Sequence, residues 1–175
     1  NFTMAAWVHP DVPNGLPQEA DSGAGGIGVV RNEVLYPPPG HEVYADERHA
    51  GAGFSVGTNG VCVYEHSANY FAPLLVYGQA ISEWVHVAVV YRDGRPSLYL
   101  NGKLVHTGLA SKYVVHPGVA VQHTREVGPF RGDVGELRMF DRALSETEIA
   151  RLAAETPIPR PRPGTASIEL RRDRD

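Results

Sequence analysis

The sequence predicts an all-β protein, an antiparallel β-sandwich closed by one short C-terminal helix. Short runs of β-branched and aromatic residues recur between turn signals, the pattern of a sandwich or barrel. Glycine and proline number 19 and 14, more than an average domain of this length carries, so turns are frequent. Only the stretch after Leu144 combines helix-start chemistry with helical spacing.

The first strand runs from Phe2 to Val8, with Phe2, Met4, Ala6 and Val8 on one face. Ile27 to Val30, Phe54 to Val56, Val61 to Tyr64 and Leu74 to Tyr77 follow, then Trp84 to Tyr91 and Leu98 to Leu100. The run WVHVAVVY is nearly continuous in β-branched and aromatic residues, which places it centrally with both faces covered. Trp84, Val87, Val89, Leu98 and Leu100 are therefore expected in the core. Asn59-Gly60 and Asn101-Gly102 read as tight type I′ hairpins, because both central positions need positive φ. Asp93-Gly94 turns the chain between the WVHVAVVY and SLYL strands.

Ser145 and Glu148 form a capping box, each side chain satisfying a backbone donor of the other. Leu144 and Ile149 hold the two positions of a hydrophobic staple. Ile149, Leu152 and Ala153 give a narrow apolar stripe, so the helix packs by one side and ends near Glu155.

Residues 1–155 thus make one module. Residues 156–164 contain PIPRPRPG, which cannot continue a helix or enter a central strand and reads as an extended linker. Residues 165–175 open with the β-like ASIEL, then the charged RRDRD, and read as the start of a following segment. The chain is accordingly expected to be an excised piece of a larger protein. Its first strand begins at the first residues and is expected to lack a neighbour on one side.

Composition narrows function. A formal charge of −4 leaves no basic footprint for nucleic acid, and no apolar run is long enough to span a bilayer. The opening Asn1-Phe2-Thr3-Met4 carries no targeting signal, so location is not read from it. Cys62 is alone, has no internal disulfide partner, and sits in an apolar run as a small core residue.

Three segments together resemble the laminin G-like, concanavalin A-like jelly rolls. WVHVAVVYRDG followed by SLYLNGKLVHTG resembles the central hairpins of that group. GDVGELRMFDRALSETEIARL is similar to its final strand and closing helix, and FTMAAWVHP to a strand just inside the domain. The resemblance covers residues 1 to 155. It implies a jelly-roll fold and a non-catalytic carbohydrate-binding or accessory module. The parent would be a larger bacterial polysaccharide-acting protein such as a glycoside hydrolase. The implied partners are a glycan and other domains of that parent chain, and the implied location is extracellular, periplasmic or cell-surface. The same fold also hosts structural or protein-binding adhesion and spacer modules, and sandwich-fold glycoside hydrolases.

Catalysis finds little footing. A glucanase of this fold needs carboxylates alternating along one strand, so that nucleophile and general acid face the sugar together. The acidic clusters are Glu42, Asp46 and Glu47, then Asp133 and Glu136, then Glu146 and Glu148, and none alternates in that way. Glu146 and Glu148 stand at a helix start, where the dipole favours them. There is no Gly-x-Ser-x-Gly elbow and no activated-Cys context. The eight histidines are scattered without metal-ligand spacing. His86, inside the central strand, reads as a satisfied core histidine.

Calcium is the cofactor implied by the resemblance, held by oxygen ligands from separate loops. The group often places an Ile-Asp-Glu sequence before its last strand; this chain has Gly135 at the Asp position. Asp133, two residues earlier on the same strand face, is the first candidate ligand, with Glu136, Asp46 and Glu47 behind it. The alternative for Asp133 is a solvated carboxylate at a strand start. For sugar binding, the candidates are Tyr64, Glu65, His66, Asn69 and Tyr70, which mix stacking faces with groups for hydroxyls where a strand ends. The alternative is that Tyr64, with Phe71, anchors the core.

Overall fold

The computed structural model describes residues 1–23, 32–35, 48–67, 70–118 and 130–155. The expected strand at Ile27 to Val30, the linker at 156–164 and the segment 165–175 lie outside the described residues.

Among the described residues, ten strands and one helix form the sandwich. The strands are β1 Phe2–Pro10, β2 Glu33–Leu35, β3 His49–Gly57, β4 Gly60–Ser67 and β5 Tyr70–Tyr77. They continue as β6 Val85–Arg92, β7 Arg95–Leu100, β8 Lys103–Thr107, β9 Val114–Pro117 and β10 Gly132–Phe140, before helix α1 Glu146–Ala153. One sheet has the order β10-β1-β6-β7-β8 and the other β2-β3-β4-β5. Pairing is antiparallel except at β9, which runs parallel to the first residues of β3, from His49 opposite Val114 to Ala52 opposite Pro117. Since β2 pairs near Phe54 and Ser55, β2 and β9 lie end to end along one edge of β3.

Alternation explains the core. Phe2, Met4, Ala6 and Val8 of β1 face inward with Val85, Val87, Val89 and Tyr91 of β6. They meet Ala52, Phe54 and Val56 of β3 and Val61 and Val63 of β4. The central placement of the WVHVAVVY strand holds: its outward residues Ala88 and Val90 are covered by Leu144 and Ile149 around the helix. The capping box forms, with Ser145 Oγ accepting from Glu148 N and the Glu148 carboxylate accepting from Ser145 N. Cys62 is buried and free, as its apolar run suggested, and burial pushes its thiol well up.

Four expectations need correction. Trp84 falls one residue before β6, beside His9 with ring centroids 5.9 Å apart, and is only half-buried at the end of the sandwich. Leu98 is fully buried, and Leu100 packs half-buried at the core margin. Asn101-Gly102 and Asp93-Gly94 do turn with positive φ at both residues (49° and 80°, 49° and 73°), as type I′ chemistry requires. Asn59-Gly60 does not: Gly57 pairs with Gly60, so Thr58 and Asn59 make the turn. The Asn59 side chain is committed elsewhere, accepting from Asn14 N and donating to Asn14 O. Nor does β1 lack a neighbour, for β6 and β10 flank it along its length. His86 is buried as expected, but its Nδ1 meets no hydrogen-bond partner among the described residues.

A further cover was not foreseen. Residues 11–23 strap the outer face of the second sheet. Leu16 packs on Cys62, Tyr64 and Phe71, Asn14 Nδ2 donates to Ser55 Oγ, and Glu19 Oε1 accepts from Val76 N.

Candidate functional site

The strap, β3, β5 and the connection ahead of β9 meet at one end of the sandwich. There they enclose a cleft of about 430 Å³ lined by Asp21, Ser22, Gly23, Arg48, Tyr70, Lys112 and Tyr113. Tyr113 stacks on Tyr70 with ring centroids 4.2 Å apart and planes 29° apart. The lower ring, Tyr70, is 5% exposed, while Tyr113 is half-buried above it. Lys112 Nζ lies 2.9 Å from Asp21 Oδ2, and that contact holds the Asp21 carboxyl below its ordinary range. Tyr113 also lines a neighbouring cleft of about 270 Å³, with Tyr91, Asp93 and Val114. It therefore stands as a ridge between two recesses.

Beneath the ridge lies Glu65, fully buried. Its Oε2 accepts from Tyr70 Oη at 3.1 Å and from Ser111 Oγ at 2.6 Å, and its Oε1 accepts from Tyr91 Oη at 3.1 Å. Ser111 Oγ in turn accepts from Tyr113 N at 3.1 Å. Burial outweighs these three hydroxyl donors and pushes the Glu65 carboxyl up to about 7. Tyr70 and Tyr91 are raised by burial and by the adjoining carboxylate.

Of the five residues predicted to face sugar, Tyr70 lines the cleft and Glu65 supports it from below. Tyr64 and His66 point to the opposite face of β4. Tyr64 stacks on Phe71 with centroids 5.2 Å apart and donates its hydroxyl to Leu35 O, as a core anchor does. His66 meets the same Phe71 ring edge-on, and at 7% exposure offers little surface. Asn69 lies outside the described residues.

The calcium candidates are not brought together by what is described. Glu136 is committed to Arg138, which also holds Glu155. That leaves Asp133 as the other strand carboxylate, opposite His9. Asp46 and Glu47 lie outside the described residues. Among the described residues, no three His, Cys, Asp or Glu side chains are grouped to hold a metal ion.

Sequence reading missed Asp21, Arg48, Lys112 and Tyr113, and also a histidine pair. His49 Nδ1 and His116 Nε2 are 2.7 Å apart with stacked rings, across the parallel β3–β9 contact. The available signal was Ser111-Lys112-Tyr113, a hydroxyl, a cation and an aromatic in consecutive positions of a connection.

Two sheets packed as a sandwich with one short helix are consistent with a jelly roll, and a family model covers most of the chain. The model described as concanavalin A-like lectin/glucanases superfamily, of laminin G type, matches residues 1–150. The chain belongs to the concanavalin A-like lectin/glucanases superfamily. No curated protein matches it. Solved structures that resemble this superfamily member include domain 4 of AbnA, a GH43 extracellular arabinanase from Geobacillus stearothermophilus, in complex with arabinotriose. It is 16% identical with a TM-score of 0.47, covering 87% of this chain and 66% of that one. The binding domain of botulinum neurotoxin DC in complex with SialylT is 15% identical, TM-score 0.49, covering 87% of this chain and 34% of that one. The binding domain of Paraclostridial Mosquitocidal Protein 1 is 14% identical, TM-score 0.45, covering 87% and 36%. The superfamily member thus spans just under two thirds of the arabinanase domain and about one third of the toxin domains. Among its described residues no helix is long and apolar enough to cross a membrane.

Proposed function

We propose that this chain is a non-catalytic carbohydrate-binding module that takes a glycan at the Tyr113 ridge. It would act outside the cytoplasm, as part of a larger bacterial protein that works on polysaccharide. The observation that carries the reading is the half-buried Tyr113 ring lining the cleft, backed by Tyr70 and bordered by Arg48, Lys112 and Asp21. An aromatic face covers the apolar C–H surface of a sugar, and the bordering charges and hydroxyls bond its hydroxyl groups. Membership of a superfamily of lectins and glucanases supports a sugar ligand. Binding rather than hydrolysis is supported by the lining, which among the described residues offers one carboxylate, Asp21, where a glycosidase flanks its bond with two.

The test is a polysaccharide and oligosaccharide array probed with the full 175-residue chain, followed by calorimetry on the best hit. Tyr113→Ala should weaken that hit by about tenfold or more, some 1.4 kcal/mol, with the melting temperature nearly unchanged. No binding anywhere on the array, or unchanged affinity in the variant, would remove the reading. The first result would instead favour a spacer or protein-binding module.

A further inference from the structure

We propose that Glu65 is the positioning residue of this cleft, a buried carboxylate whose single oxygen Oε2 holds both rings of the Tyr113–Tyr70 stack and ties the shape of the ridge to one proton. The inference rests on the reading of the ridge as the sugar site, and extends it to how binding is controlled.

The geometry is specific. Tyr70 is held directly through its hydroxyl, and Tyr113 indirectly, through its backbone N–H on Ser111 Oγ. Both links converge on Oε2. The two rings come from β5 and from the connection ahead of β9, segments that share no strand pairing with each other. In register, Glu65 is flanked by Ala52 on β3 and Ala72 on β5, small residues that leave room for a carboxyl between the sheets. The titratable groups facing it are Tyr70 from β5 and Tyr91 from β6, with Ser111 as the third donor. Further out around the cleft stand Tyr113, Arg48 and the Lys112–Asp21 pair. Among the described residues no charged side chain makes an ion pair with Glu65.

An ionised carboxylate accepts all three hydroxyls. Once protonated, it must donate one hydrogen: on Oε1 that reverses the bond with Tyr91, and on Oε2 Tyr70 and Ser111 can no longer both donate to that oxygen. Burial favours the neutral form, and the carboxyl titrates at about 7. The sign follows. With a folded value raised above the unfolded one, this group's contribution to stability is fully present below about 4.5 and lost as pH rises through about 7. The ionised, fully bonded ridge is thus the form that folding alone disfavours.

Two readouts separate this inference from the sugar-binding reading. The first needs no glycan. Ring resonances of Tyr70 and Tyr113 in the full chain, followed by NMR across the neutral range, should move together with a midpoint near 7. Glu65→Gln, nearly isosteric and uncharged, should abolish that titration. Ser111→Ala, in a partly exposed connection, should keep the response of Tyr70 and lose that of Tyr113. Rings that do not titrate, or that titrate unchanged in Glu65→Gln, would overturn the proposal. The second readout is the same array probed one unit either side of neutrality. Stronger binding on the alkaline side in the wild type, absent in Glu65→Gln, is expected. Equal binding on both sides would overturn the proton link while leaving a sugar site standing. An empty array would remove the sugar reading, and the ring titration would still decide the role of Glu65.

Discussion

The hydroxyl of Thr3, in the first strand, accepts a hydrogen bond from the backbone N–H of Leu144 at 3.0 Å, just ahead of the closing helix. The same hydroxyl donates to Arg142 O at 2.9 Å. One buried side chain therefore satisfies two backbone groups of the β10–α1 connection and seats the helix on the sheet. Thr3→Val keeps the shape and removes both bonds, stranding a buried N–H. A loss of about 1–3 kcal/mol is expected in urea unfolding, and a value near zero would mean that the connection is held by packing alone.

The helix start gives a smaller, separable effect. Ser145→Ala deletes the acceptor for Glu148 N and should cost about 1 kcal/mol. Because Leu144 and Ile149 stay buried together, the helix should persist by circular dichroism.

Core depth distinguishes two aromatic residues. Phe54 is 0% exposed between the sheets, and Phe54→Ala should cost about 3–5 kcal/mol. Trp84→Ala, at the half-buried end of the sandwich, should cost clearly less. Equal losses would return Trp84 to the core, where its place in an apolar run had put it.

His86 sets a pH dependence opposite to that of Glu65. Burial holds its imidazole neutral, lowering the group from 6.5 to about 4. A native state that refuses the proton while the unfolded chain accepts it loses stability as pH falls from 6.5 toward about 4. His86→Phe should flatten that part of the pH profile in guanidinium titrations. An unchanged slope would show that the imidazole is protonated in place.

Legibility in the sequence followed the range of the interactions. Asn101-Gly102 and the Ser145–Glu148 box were readable because each is set by residues within four positions. The inward faces of β1 and β6 were readable because the alternation is local too. Asn59-Gly60 misled because Asn59 bonds Asn14, a long-range partner that no spacing reveals. The site was mostly hidden for the same reason: Asp21, Arg48, Tyr70 and Tyr113 converge only after two sheets have packed. Tyr70 was found by its polar and aromatic neighbours, yet Tyr64 and His66, in the same run, belong to the other face of a bulged strand.

Synthesis runs from N- to C-terminus, and the pairing of β1 makes that order matter. Its neighbours are β6, where Phe2 meets Tyr91, and β10, where Thr3 meets Phe140. Among the described strands β1 is thus flanked by two that are made much later than itself. Until β10 emerges, a row of apolar and hydrogen-bonding groups on β1 has at most one side occupied, a state prone to sticking to other chains. Contacts this distant in sequence also slow the search, so refolding of this sandwich belongs in the millisecond-to-second range rather than the microsecond range of helical bundles. Nascent chains of this protein should consequently lean on chaperones that hold unpaired strands, and do so until almost the whole domain has left the exit tunnel.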